Sequence, residues 1–256
     1  MTDKLGIIGV GHFAEYLVEG FLNARPEMEI ILSPRGKAQA KLLAKKHGCE
    51  IAKTNQDVVN KVDIIILSVR PHDVKPVVEA LKFEERQLII TVASGVSHQN
   101  LKNDVLPAEL IRALPVSSAA VNHSPTLLYP ENKKICHLLE LLGTVIVLKD
   151  EEEFAIAAVY SAFYGWNFKF MEEIMKWGQN KGLSAQMTRA ILQDMFSGMA
   201  DMSKKDEKVP MGDIVETLAT PGGITELGLS VINQGDGFEI WHDALDVVYN
   251  RLSGKK

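Results

Sequence analysis

Two short glycine-rich runs carry the residue types that could do chemistry, and they lie at opposite ends of the chain. The first is Leu5-Gly6-Ile7-Ile8-Gly9-Val10-Gly11-His12-Phe13-Ala14, an aliphatic run ending in G-x-G-x-x-A. In this pattern Gly9 permits a tight turn and Gly11 lets a pyrophosphate approach backbone N–H groups. Ala14 is small enough for the following helix to pack closely on the strand. The helix N-terminus adds its positive dipole end, so the ligand that suits the run is an anionic dinucleotide. The second run is Thr220-Pro221-Gly222-Gly223-Ile224-Thr225. It stops one helical pattern and starts another, leaving N–H groups bare of side chains next to the Thr225 hydroxyl. Such a corner suits a small anion such as a carboxylate, and a helix–helix turn with nothing bound would use the same residues.

The residues after the second aliphatic run bear on which dinucleotide is bound. Glu29–Leu32 is followed by Ser33-Pro34-Arg35-Gly36-Lys37, with no acid to accept from the 2′-hydroxyl of NAD. A hydroxyl at Ser33 and a guanidinium at Arg35 suit a 2′-phosphate, which favours NADP and leaves NAD as the alternative. Two further strand candidates end in Ser68-Val69-Arg70-Pro71 and in Ala93-Ser94-Gly95-Val96. Both ends belong at the carboxyl edge of a sheet, where folds of this kind bind ligands. The expected cofactor-lining set is therefore Gly9, Gly11, His12, Phe13, Ala14, Ser33, Arg35, Ser68, Val69, Arg70, Pro71, Ala93 and Gly95. For His12 and His72 a plain surface position competes with a role in binding.

The elements that must position these residues fall into two rhythms. Up to about residue 150, aliphatic runs at Leu5–Val10, Glu29–Leu32, Val62–Val69, Leu88–Ala93, Leu110–Ala113, Thr126–Tyr129 and Thr144–Leu148 alternate with amphipathic stretches. Continuous apolar strands separated by helices predict a parallel sheet covered on both faces, a Rossmann-type dinucleotide domain over 1–150. From Glu151 to the end the pattern is helical, which predicts an all-helical second domain over 151–256. Glu151-Glu152-Glu153 reads as a solvated helix start. The run 154–168 is apolar nearly all round and should be buried on every side, in part by a second copy of the chain.

The bulk properties exclude other classes. The chain has 256 residues, 46% hydrophobic and 24% charged, with a net charge of −5 and no basic stripe, which argues against nucleic acid or an anionic membrane as partner. Cys49 and Cys136 read as two reduced thiols. No H-E-x-x-H, Cys/His cluster or G-x-S-x-G elbow is present, so no metal is expected. With no signal peptide or membrane span in the pattern, a cytoplasmic protein is expected.

The order G-x-G-x-x-A, Ser68-Val69-Arg70-Pro71, Ala93-Ser94-Gly95-Val96, Arg112-Ala113-Leu114-Pro115 and Pro221-Gly222-Gly223-Ile224-Thr225 resembles pyrroline-5-carboxylate reductase over nearly the whole chain. Gly198, Ala200 and Met202 fit a G-A-A-x-M helix of the same family. The resemblance implies NAD(P)H-dependent reduction of a cyclic imine to proline by an intertwined homodimer. It also implies that Gly222 and Gly223 hold the substrate carboxylate and that Thr225 is the catalytic residue near the imine nitrogen. The chain departs from the family at Phe163–Trp166, where bulky residues replace a Ser-Gly-Ser-type stretch, and at Val116, which replaces an Asn. A changed imine or carbonyl substrate and a catalytically silent, regulatory dinucleotide binder are the competing readings. A third is a β-hydroxyacid dehydrogenase-like enzyme, for which Lys169 would be the lysine.

Overall fold

The run Ile64-Ile65-Ile66-Leu67 shows how the first half folds. Side chains alternate across a strand, and here Ile64 and Ile66 enter one core while Ile65 and Leu67 enter the other. A strand with no polar face must be covered on both sides. In the computed structural model, which describes residues 4–205 and 207–254, eight strands form one sheet. They are β1 (Lys4–Ile8), β2 (Glu29–Leu32), β3 (Glu50–Ile51), β4 (Ile64–Leu67), β5 (Leu88–Thr91), β6 (Glu109–Leu114), β7 (Thr126–Tyr129) and β8 (Val145–Val147), in the order β3-β2-β1-β4-β5-β6-β7-β8. The order reverses between β1 and β4, where Gly6 pairs with Ile31 on one side and Ile65 on the other. That reversal opens the crevice in which such sheets bind ligands.

Helices α1 (His12–Ala24), α2 (Lys37–His47), α3 (Asn55–Val59), α4 (Pro71–Glu79), α5 (His98–Leu101) and α6 (Lys133–Leu139) connect the strands. Leu17, Val18 and Phe21 of α1 are fully buried against the β1 face. Gly20 of α1 is required by contact, because a Cβ there would stand 2.1 Å from the Ala119 carbonyl oxygen. The expected parallel sheet has one exception: β7 runs antiparallel to β6, with Ala113 opposite Leu128. Only a 3-10 turn, Ser117–Val121, lies between them. A parallel return needs a crossover of a dozen residues or more, usually a helix.

The chain folds as two compact units, Met1–Ser161 with Tyr249–Lys256, and Ala162–Val248. The C-terminal return places Leu252 against Leu114, Leu148, Phe154 and Ala158 within the sheet unit. The helices of the second half are α7 (Glu151–Asn180), α8 (Ala185–Lys205), α9 (Met211–Leu218), α10 (Ile224–Gln234) and α11 (Glu239–Ser253). In the helical unit α7 and α8 meet closely at Gly178, where a Cβ would lie 2.8 Å from Thr188 Cγ2. Trp241 of α11 gathers the rings of Phe163, Trp166 and Phe170 from α7, with centroids 5.8–6.3 Å away.

Within one chain, the run 154–168 is covered only at its start. Phe154, Ala158 and Val159 are buried, but Tyr160, Phe163 and Phe168 are exposed in the single chain. One chain supplies too few layers to surround this helix. Among the described residues, no helix is long and apolar enough to cross a membrane.

Candidate active site

Gly9 leaves β1 with φ +97°, and a Cβ there would lie 2.5 Å from both the Ser68 carbonyl oxygen and Val69 Cγ1. The turn therefore runs directly over the exit of β4, and only glycine fits. Gly11, the N-cap of α1, is different: a Cβ at that position would meet no protein atom within 4 Å. Nothing in the protein requires its bareness, as expected if the space belongs to a ligand's phosphates. Ala14 is fully buried where α1 packs on the sheet. His12 is exposed at the start of α1. Phe13 packs against the core beside Tyr16.

A cleft of about 420 Å³ opens at this turn, lined by Gly9, Val10, Gly11, Arg35, Gly36, Ser68, Val69, Arg70, His72 and Asp73. The structure thus brings together Gly9, Gly11, Arg35, Ser68, Val69 and Arg70, predicted from separate motifs. Ser33 is placed otherwise: it is fully buried, and its Oγ accepts the Gly9 N–H at 3.0 Å. Its hydroxyl holds the glycine turn against the end of β2. Gly36 (φ +87°) lies so close to Val10 that a Cβ would stand 2.2 Å from its carbonyl oxygen. Arg70 is the N-cap of α4 and Pro71 its first residue, where a missing N–H costs nothing.

Ala93 is buried at the end of β5, and Gly95 turns the chain with φ +82°. Gly95 lines a second cavity of about 320 Å³ with Ser97, Gln99, Arg112, Glu151, Glu152 and Tyr249 among others. Glu151 is the part of this cavity that sequence reasoning misjudged. It is no solvated helix start: its Oε2 accepts from Arg112 Nη1 at 2.7 Å, and its Oε1 accepts the His98 N–H at 2.7 Å. The Arg112 side chain is only 7% exposed and its guanidinium carbon stands 4.0 Å over the Phe154 ring. Burial pulls the guanidinium down from its ordinary value and Glu151 draws it back up. One carboxylate thus ties β6 and the start of α5 to the first turn of α7. The R-A-L-P match was the only sequence signal for Arg112, and its partner, far along the chain, carried none.

The Thr220–Thr225 corner belongs to the helical unit. Gly222 has φ +75°, and a Cβ on Gly223 would lie 2.7 Å from Thr220 Oγ1, so both positions demand glycine. Gly223 is the N-cap of α10. The Gly223 N–H donates to the Thr220 carbonyl at 2.8 Å, and the Gly222 N–H donates to Glu226 Oε2 at 2.7 Å. The first-turn N–H groups of Ile224, Thr225 and Glu226 have no acceptor within the helix, by its geometry. The two glycines shape the corner, and the donors open to a ligand are those one turn on, beside the Thr225 hydroxyl.

Lys169 is exposed and pairs with Glu172 and Glu173 at 2.6 Å each, and these acids raise its pKa. Phe163 and Trp166, part of the bulk that departs from the family pattern, contact Trp241 within the helical unit, and Phe163 stays partly exposed. Among the described residues no cluster of His, Cys, Asp and Glu could hold a metal ion.

Residues 4–95 match the family described as NADP oxidoreductase, coenzyme F420-dependent, and residues 151–254 match pyrroline-5-carboxylate reductase dimerisation. The pyrroline-5-carboxylate reductase of Pseudomonas aeruginosa is 26% identical over 251 residues, covering 93% of this chain and 91% of that protein. The crystal structures of 1-pyrroline-5-carboxylate reductase from Streptococcus pyogenes superimpose with a TM-score of 0.87 at 25% identity, covering 98% of each chain. The Plasmodium falciparum pyrroline carboxylate reductase with NADP bound gives the same TM-score at 19% identity, over 98% of this chain and 97% of the other. The glycine turn and the cleft beside it fall in the first matched segment, the glycine corner falls in the second, and the chain belongs to the pyrroline-5-carboxylate reductase family.

Proposed function

We propose that the protein reduces pyrroline-5-carboxylate to proline with NADPH. The observation that carries this reading is the occurrence, on one chain, of a glycine turn whose second glycine faces open space and a glycine corner that uncovers helix donors beside a threonine hydroxyl. Residues 1–150 bind the dinucleotide and residues 151–256 form the dimer and hold the substrate. The cofactor would supply a hydride to the imine carbon when bound. The turn Gly9–Gly11 would hold the pyrophosphate against the N-terminus of α1, with Ser33 fixing the turn from below. Arg35 is placed for the 2′-phosphate of NADP, with NAD as the weaker ligand. Ser68, Val69 and Arg70 line the cleft beside it, Pro71 opens the helix that follows, and Ala93 and Gly95, just past β5, would extend the cofactor site beyond the cleft.

At the other site, the open N–H groups of Ile224 and Thr225 take the substrate carboxylate, favoured by the dipole of α10. The Thr225 hydroxyl hydrogen-bonds the imine nitrogen and favours its protonated, electrophilic form, so that carbon gains hydride and nitrogen keeps the proton. Gly222 and Gly223 hold the corner in a backbone path that a Cβ would disfavour, with those donors left bare of side chains. The protein is a homodimer in the cytoplasm. The uncovered apolar stripes of α8, α9 and α10 support the dimer: Met187, Ile191, Met195 and Met199 on α8, Met211, Val215 and Leu218 on α9, and Ile224, Leu227 and Val231 on α10 are all exposed.

NADPH oxidation by the purified protein with pyrroline-5-carboxylate tests the reading. Turnover is expected, falling roughly 100-fold in Thr225→Ala with little change in NADPH binding, as for loss of one positioned donor. A protein that binds NADPH tightly yet leaves the imine unreduced would overturn it.

A further inference from the structure

The cleft beside the glycine turn holds an acid that no motif assigned. Arg35, Arg70, His72 and Asp73 all line it. Asp73 lies in the first turn of α4, its backbone N–H donating to the Arg70 carbonyl at 2.8 Å. Its Oδ2 stands 3.7 Å from Arg35 Nη2 and 3.9 Å from His72 Nε2. The guanidinium best placed for a 2′-phosphate thus already faces a carboxylate.

That carboxylate discriminates between the two dinucleotides. A 2′-phosphate is an anion that pairs with a guanidinium fork; Asp73 competes for the same fork and repels the phosphate. A 2′-hydroxyl is neutral and a donor, which a nearby carboxylate can accept. We propose that Asp73 is a specificity-determining residue that restrains the preference for NADP(H) and keeps NAD(H) an acceptable ligand, with Arg35 pulling the other way. The proposal rests on the dinucleotide reading above. An acid in the first turn also favours the dipole of α4, but that role would be indifferent to which dinucleotide binds.

The test is direct binding, with no substrate present. NADPH and NADH are titrated separately into the wild type, Asp73→Asn, Arg35→Met and the double variant, following nicotinamide fluorescence at low and at high salt, with melting curves as a check on folding. Asp73→Asn is expected to tighten NADPH about tenfold while leaving NADH unchanged or weaker, an effect that shrinks at high salt. Arg35→Met should bring NADPH down towards NADH, and in the double variant the effect of Asp73 should shrink to what its direct repulsion of the phosphate leaves. An unchanged ratio of the two dissociation constants in Asp73→Asn, with both cofactors still bound, overturns the proposal and leaves the dinucleotide site intact. A wild type that binds neither dinucleotide overturns the site reading, and the proposal with it.

Discussion

The two units of this chain are built to opposite standards of self-sufficiency. The sheet unit has cores on both faces, with Ile7, Leu17, Phe21, Ile65 and Leu67 fully buried. In the helical unit only Gly178 and Thr188 are buried among the described residues, while Ile224 is 91% exposed and Leu227 67%. Apolar area left in water forgoes roughly 25 cal/mol per Å². The sheet unit can therefore carry its own stability, whereas the helices need a surface from elsewhere. The proposed dinucleotide cleft belongs to the self-sufficient part, and the proposed substrate corner to the dependent one.

The sharpest way to break this contrast is to place charge on the uncovered face. Met199→Arg combined with Leu227→Arg should convert the proposed dimer to monomer in sedimentation and lower turnover by roughly 100-fold or more, because the dependent unit loses its cover. NADPH binding should survive. If it collapses together with assembly, the sheet unit is not self-sufficient and the contrast fails. Within the sheet unit, Glu151→Ala strands a buried guanidinium and should cost about 3 kcal/mol, lowering Tm by about 10 °C with assembly unchanged.

A subtler separation is available at the glycine turn. Gly9→Ala forces a Cβ to 2.5 Å from the Ser68 carbonyl and should cost about 1–3 kcal/mol of stability. Gly11→Ala should leave the melting curve alone and weaken NADPH about tenfold, which a calorimetric titration would show. The smallest effect concerns Cys49, whose burial pushes its thiol up to about 11. On unfolding the thiol returns to its ordinary, lower value, so its contribution to stability is fully present below about pH 9 and is lost as pH rises towards 11. Denaturant titrations across that range should fall off less steeply in Cys49→Ala than in the wild type.

Much of this was legible in the residues. β2 and α2 begin and end where the pattern puts them, because Ser33-Pro34 and Gly48 bound them chemically. The two-residue β3 and the short α3, α5 and α6 carry no usable periodicity; α3 exists because Thr54 and Asp57 cap each other across its first turn. The cleft's glycines and Arg35 were readable from local chemistry. Asp73 was not, since its relevance comes from a partner on another element. The same holds for Glu151, which looks like any acid at a helix start until Arg112 is seen opposite. Sequence spacing reports what a residue does to its own backbone far better than what it does across a fold.

The return of Tyr249–Lys256 to the sheet unit has a consequence for the helices between. Their chain is tethered at both ends, so when the helical unit loosens it becomes a closed loop and not a dangling tail. Holding the ends of such a loop together costs an entropy that grows only slowly with its length, and its ends never diffuse away from the unit that carries them. Reassembly after dissociation then begins from a restrained ensemble. A stop codon a few residues early would remove the anchor Leu252 and release the whole helical stretch as a free tail.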